Sequence, residues 1–421
     1  MHSRNRYIQT PDFGQLAEAY PALKKLPRLS LKGATVDFKD PDAQRCITEA
    51  LLQRDFNLKI QIPDDRLCPP VPNRLNYLLW IQDILRACPN TNEEVVGIDM
   101  GISDIPSSRM SIGRLGNLEI YWNCEEIDEL SYTSAKQNVE SNNLAERITI
   151  VKIRAEADEP ILAPLFTSST SQRFAFTMCN PPFYASHEEM LHSAEAKELA
   201  PNAVCTGAPT ELLTPGGEIA FITKMIHEST DQATRERCLW YTSMLGKLSS
   251  LGPIVDKLKE YGIDNYALTQ FIQGQTKRWG VAWSFTDLRL PDAIARIQNP
   301  SITQYLPPRN TIRQSVPTPT TLDTVAHIVS SIGGSVSTAR RVEYMIVEAR
   351  GDTWSRAARR RQGKTEAVDS SQGVKMTCTI VVLETEKEKQ VVFQWTKGRD
   401  RTLFESFSSH YFRVFVFLRE K

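Results

Sequence analysis

The middle two hundred residues of this chain predict a doubly wound α/β sheet, seven strands with a terminal antiparallel hairpin. Three observations point there. The apolar run EVVGIDM (94–100) stops at Gly101, as a strand buried on both faces does. Apolar runs and helix-period stretches then alternate as far as residue 285. Finally, Asn180-Pro181-Pro182-Phe183 directly follows one such run, RFAFTMC, so it falls at a strand's carboxyl end, where open α/β sheets gather ligands.

The elements follow in order. Residues 1–90 read as an N-terminal helical module: Asp40-Pro41-Asp42 starts one helix, and a second begins near Asn73 with Leu75, Leu78, Leu79, Ile81 and Ile84 in period. The α/β domain is expected over 91–290. After the first strand come a second at 118–122, a helix at 127–143 stopped by Asn142-Asn143, a third strand at 148–153 and a fourth at 174–179. A fifth strand is expected at 217–222, then a helix over 224–245, and 266–272 with 281–285 form the hairpin. The Pro/Thr/Ser-rich stretch 291–322 reads as a linker. Beyond it, 323–421 has a helical start at 324–331, strands at 377–383 and 390–395, and a last helix or strand over 403–418, enough for a small α+β domain.

Composition narrows the class. Hydrophobic residues at 41% and charged residues at 24% fit a packed globular chain rather than a disordered one. No run of eighteen apolar residues is present, so no membrane-spanning helix is expected. MHSRNRYIQTPDFGQ has no apolar h-region, so no secretory signal is expected there. Eight cysteines are scattered without a C-x-x-C pair, which indicates neither a zinc site nor a disulfide framework and suits reduced thiols in cytosol or nucleus. Net charge is zero, yet residues 301–421 hold 19 Lys and Arg against 12 Asp and Glu, while 1–300 hold 31 against 38. A basic tail on an acidic body suits a polyanionic partner; a solvated basic surface is the other reading. Arg359-Arg360-Arg361 is open in the same way, between a nuclear signal and a solvated face.

The tetrapeptide carries the chemistry. An adenine amine is a poor nucleophile because its lone pair is delocalised into the ring. The Asn180 side-chain oxygen and the Pro181 carbonyl are placed to accept both amine hydrogens and favour a pyramidal nitrogen. Pro181 and Pro182 stiffen the backbone by locking φ. Phe183 supplies a ring for the extruded base, a contact worth roughly 1–3 kcal/mol. No strong base is needed, so His227 reads as a packed or capping residue rather than a proton shuttle. For the methyl donor, S-adenosylmethionine, Gly97-Ile98-Asp99-Met100-Gly101 ends the first strand where a methyltransferase backbone turns around the methionine moiety, and Glu126 follows the second, where a carboxylate accepts from ribose hydroxyls. Glu126 also suits a helix N-terminus.

Over residues 1–290 the chain resembles the eukaryotic methyltransferase-like-sixteen family. The resemblance rests on Arg4-Asn5-Arg6-Tyr7, Phe38-Lys39-Asp40-Pro41, Val71-Pro72-Asn73-Arg74-Leu75-Asn76-Tyr77, the 180–183 tetrapeptide, and Thr206-Gly207 with Glu211. It continues in Trp240-Tyr241, Met244-Leu245-Gly246-Lys247, Arg278-Trp279 and Ala282-Trp283-Ser284-Phe285. It implies a Rossmann-like class I methyltransferase that makes N6-methyladenosine in structured RNA, U6 small nuclear RNA above all, in the nucleus or in nucleus and cytoplasm. It further implies that Arg74 binds the cofactor carboxylate, that Lys39, Lys247, Lys277 and Arg278 contact RNA, and that the C-terminal domain (Leu403-Phe404, Phe412-Arg413) is an accessory RNA-binding unit. No metal is implied.

Two stretches depart from the family pattern. After Gly101 the chain reads Ile102-Ser103-Asp104-Ile105-Pro106, with its next glycines at Gly113 and Gly116, where the family keeps glycine and small residues for close cofactor approach. The loop at 194–200 offers only Lys197 in place of several arginines. The altered glycine stretch leaves open a catalytically impaired RNA-binding homologue, and the Asn-Pro-Pro-Phe signature by itself leaves open an amino methyltransferase acting on ribosomal RNA or protein glutamine.

Overall fold

The computed structural model describes residues 1–25, 40–88, 94–100, 119–126, 128–152, 160–162, 166, 172–195, 207–332, 336–341, 343–355, 358, 360, 373–384 and 388–419. Lys39, Gly101, the 102–117 departure, Lys197, Thr206, Arg359, Arg361 and the Glu126 side chain lie outside them. Two compact units form: Met1–Phe285 with Ile297–Leu306, and Thr286–Arg296 with Pro307–Lys421.

The first unit opens with helices α1 (Phe13–Ala19), α2 (Pro41–Phe56) and α3 (Val71–Arg86). Helix α2 begins where the sequence places it, with Asp40 accepting from the Asp42 N–H and Pro41 in the first turn, and ends on Asn57 in the left-handed region (φ 53°). Helix α3 buries 13 of its 16 side chains, which makes it a core helix rather than part of a free-standing module. It packs on the sheet through Tyr77 and Trp80, whose rings lie 5.5 and 6.0 Å from that of Phe271.

The sheet runs through β1 (Glu94–Met100), β2 (Glu119–Glu126), β3 (Ile148–Lys152), β4 (Phe174–Cys179), β5 (Cys238–Leu245), β6 (Tyr266–Gln273) and β7 (Thr276–Trp283). Its seven strands are ordered β3-β2-β1-β4-β5-β7-β6, the first five parallel and β7 antiparallel to both neighbours. The doubly wound sheet with its terminal hairpin is thus present. Helices α4 (Glu129–Ser141), α5 (His187–Glu195), α6 (Gly217–Ser229) and α7 (Leu251–Glu260) connect or flank the strands.

One pair of expected elements is exchanged. The stretch 217–222 begins helix α6 instead of a strand, and β5 occupies the end of the expected helix. GEIAFI is too short and too apolar to display its period; only Ile222, Met225, Ile226 and Ser229 together reveal a helical buried face. Seven of the eight β5 residues are buried, so no alternation marks it as a strand.

Gly97 also has a different place from the one expected. It lies inside β1, in register with Trp122 and Phe176, and a Cβ there would come within 2.4 Å of the Phe176 ring. Its bare backbone makes room for that ring. Gly97→Ala is therefore expected to cost about 1–3 kcal/mol by overpacking, read as a lowered urea midpoint at unchanged m-value; an unaltered midpoint would refute the packing role.

The second unit is a five-stranded antiparallel sheet ordered β8-β12-β11-β10-β9, formed by β8 (Thr311–Val316), β9 (Val336–Arg340), β10 (Tyr344–Ala349), β11 (Met376–Glu384) and β12 (Lys389–Gly398). Helices α8 (Leu322–Ile332) and α9 (Arg401–Arg419) pack on it around Trp354, Phe393, Trp395, Phe404 and Phe407. The expected linker is not free. β8 pairs with β12, Asn310 donates to the Leu290 carbonyl (2.9 Å), and Arg289 donates to Gly398 with its guanidinium 4.4 Å from the Trp395 ring centre. Pro307, Pro308, Pro317 and Pro319 lie outside β8 on either side, where a missing N–H leaves no ladder bond unmade.

Candidate active site

The carboxyl ends of β1, β2 and β4 lie side by side, with Met100 opposite Glu125 on one flank and Cys179 on the other. This is the point where strand order reverses about β1, and the site assembles there. Asn180, Pro182 and Phe183 are half-buried and Pro181 buried, directly after β4. Tyr184 then fixes the exit: its N–H donates to the Leu212 carbonyl (3.1 Å) and its carbonyl accepts from Thr214 (3.0 Å).

Two cations expected at the RNA surface stand against this segment. The Arg278 guanidinium lies 5.4 Å from the Phe183 ring centre, and Lys247 Nζ lies 5.2 Å from that of Tyr184. Such contacts are worth about 0.5–2 kcal/mol and help to hold the two rings in place. Lys277, one residue before Arg278 on β7, is exposed. Lys247 also pairs with Glu189, which accepts from the Ala185 N–H (2.6 Å) and is held below the usual carboxylate range by Lys247 first and that N–H second.

A buried carboxylate that sequence reading missed organises the loop behind Phe183. Glu218, 2% exposed in the first turn of α6, accepts from the N–H groups of Gly246 (2.6 Å) and Lys247 (3.1 Å) and from the Ser250 hydroxyl. Burial pushes its pKa up, against the three donors. Gly246 presses on Phe183 so closely that a Cβ would lie 2.7 Å from the ring. Nothing in the local sequence marks Glu218, whose partners lie 28 to 32 residues away.

On the donor side, Asp99 at the end of β1 and Arg74 in the first turns of α3 are 1% and 2% exposed. A buried cation and a buried carboxylate are the two residue types that a zwitterionic amino-acid group calls for. The backbone of Glu126 ends β2 on the same sheet edge. Other expected residues have structural partners. Glu211 accepts from the Leu67 and Ala208 N–H groups (2.9 and 2.7 Å), and His227 meets the Tyr261 hydroxyl (3.0 Å). Within residues 4–7, Asn5 and Tyr7 turn inward and Arg4 and Arg6 stay exposed: Asn5 donates to Pro72 and Asn76, Arg4 pairs with Asp83, and Tyr7 donates to Asp55 (2.7 Å).

With this geometry in hand, comparison with known proteins is decisive. The profile of an RNA methyltransferase family matches residues 1–287. The chain belongs to that family. It is 32% identical over 384 residues to the U6 small nuclear RNA (adenine-(43)-N(6))-methyltransferase of Schizosaccharomyces pombe, covering 90% of this chain and 95% of that protein. It is 37% identical over 292 residues to the human RNA N(6)-adenosine-methyltransferase METTL16, covering 68% of this chain and 51% of that one. The chain thus spans nearly all of the fission-yeast relative and about half of the human one. Among solved structures, the human METTL16 catalytic domain in complex with MAT2A 3′UTR hairpin 1 superimposes with a TM-score of 0.60 at 36% identity, covering 68% of this chain and 96% of that domain. The human N-terminal domain in complex with SAH gives 0.55 at 35% identity, covering 68% and 98%. The seven-stranded sheet is that of a class I methyltransferase fold.

Proposed function

We propose that this chain transfers a methyl group from S-adenosylmethionine to the N6 amine of an adenine in structured RNA, with U6 small nuclear RNA as substrate. One observation carries the reading: residues 180–183 end β4 with a base-sized ring, Phe183, backed by Gly246 and flanked by Arg278. The names of the fission-yeast and human relatives support the chemistry, and the human domains bound to an RNA hairpin and to SAH support both ligands.

In this reading the residues divide the work. Arg74 takes the cofactor's carboxylate and Asp99 its ammonium, while Glu126 accepts from the ribose hydroxyls. Bound there, S-adenosylmethionine supplies an electrophilic methyl group on its sulfonium. Asn180 and Pro181 accept the two amine hydrogens, and the stacked Phe183 fixes the plane of the base, so the nitrogen lone pair is aimed at the methyl carbon. The nitrogen becomes acidic only after transfer, so its proton can leave to water. Lys247, Lys277 and Arg278 neutralise phosphates beside the target, and the nucleus is the expected compartment. The second unit, with its surplus of cations, serves as an accessory RNA-binding domain.

The test is incubation with methyl-labelled cofactor and separate pools of U6 RNA, ribosomal RNA and protein. Label in the U6 pool is expected, as N6-methyladenosine. Label in protein alone would end the reading. Absent label with absent calorimetric binding of the cofactor would instead favour an RNA-binding homologue without catalysis. Arg278→Ala is expected to weaken hairpin binding and reduce the salt slope of log K by about one; an unchanged slope would remove Arg278 from the phosphate contacts.

A further inference from the structure

We infer that Tyr77 is a positioning residue for methyl transfer, its hydroxyl coupling the helix that carries Arg74 to the strand end that carries Asn180. The inference rests on the methyltransferase reading above and adds to it a residue outside both ligand-binding sets.

Tyr77 is fully buried on α3, one turn after Arg74 and so on the same helix face. Its oxygen accepts from the Cys179 N–H (3.3 Å), the residue immediately before Asn180, and lies 2.6 Å from Thr242 Oγ1 on β5. Thr242 Oγ1 in turn donates to the Thr177 carbonyl (2.6 Å), which fixes the direction of the chain: Tyr77 donates to Thr242, and Thr242 donates to β4. The Thr242 N–H closes the link by donating to Thr177 Oγ1 (2.9 Å). The β4–β5 register pairs Phe174 with Cys238 and Phe176 with Trp240, and past those pairs the bridge is made by these side chains. Burial, with Cys179 and Asp99 nearby, keeps the phenol protonated, as a donor must be.

A hydroxyl at that junction controls how Asn180 and Pro181 are presented, not whether RNA or cofactor binds. Tyr77→Phe keeps the ring and its packing against Phe271 while removing the link. The expected result is a kcat lowered tenfold or more, with the dissociation constants for the RNA hairpin and for S-adenosylmethionine within twofold of the parent. A parent-like kcat, or a loss confined to binding, would overturn the inference. Thr242→Val removes the next link without touching Tyr77 and should reproduce the effect. Thr242→Ser restores a hydroxyl and should recover most of the rate; failure of serine to rescue also counts against the coupling. If Tyr77→Phe does not fold, the Thr242 pair alone decides. Hydrogen exchange gives a readout that needs no turnover: the Cys179 amide should exchange faster in Tyr77→Phe than in the parent. Unchanged exchange defeats the coupling whatever the activity, whereas faster exchange in Tyr77→Phe, alongside a parent chain that methylates no RNA, leaves the coupling standing and defeats the methyltransferase reading.

Discussion

Replacing Asn180 by alanine is expected to lower kcat by on the order of 10³ while hairpin affinity stays nearly intact. In the proposed mechanism Asn180 meets the reacting amine, while RNA contact rests on Phe183, Arg278 and Lys247. Its side-chain oxygen is there one of two acceptors that orient the amine, and alanine would leave one hydrogen without its partner. A preorganised polar contact of this kind is worth about 3–4 kcal/mol at the transition state. Single-turnover rates with saturating RNA, set beside binding isotherms, separate the two quantities. A variant that methylates at the parent rate would sink the role assigned to Asn180. The same loss in rate and in affinity would assign it to binding instead.

The second large effect is expected at Gly246. Its Cα faces Phe183, and an alanine Cβ would meet that ring at 2.7 Å and Glu218 at 3.1 Å. Glu218 is held by two backbone N–H groups and Ser250, so the loop cannot yield without leaving a buried carboxylate short of donors. The ring must move instead, and with it the plane of the target base. Displacement of a reacting group by about 1 Å costs on the order of 10²-fold in rate, so Gly246→Ala is expected to lose about a hundredfold in kcat/KM. Overpacking adds roughly 1–3 kcal/mol of lost stability. Kinetics well below the melting transition isolate the first effect. Retained kcat/KM there would show that Phe183 does not set the base plane.

The readability of individual segments followed from their burial. β1 and β4 are legible because parallel strands covered on both faces are continuous apolar runs with sharp ends. The start of α2 is legible because a capping Asp and a first-turn Pro are local chemistry. The exchange of α6 and β5 shows the limit of the same signal, since a short apolar segment buried all round has no period to read. The linker at 291–322 failed for another reason. Proline and threonine mark turns as well as free chain, and only pairing with β12, some eighty residues later, decides between them.

The sequence by itself determined the family, the class of the sheet and the position of the tetrapeptide directly after β4. Each depends on residues adjacent in the chain, whose backbone preferences and spacing act before any tertiary contact forms. Only the tertiary structure decided what surrounds that tetrapeptide. Gly97 emerged as the space that holds the Phe176 ring. Arg278 and Lys247 became specific neighbours of Phe183 and Tyr184. Tyr77 and Glu218 emerged as the residues that hold the strand end and its wall, through partners separated by up to 165 residues. Hydrogen bonds and ring contacts act over a few ångströms, and no local pattern encodes which distant segments folding brings that close.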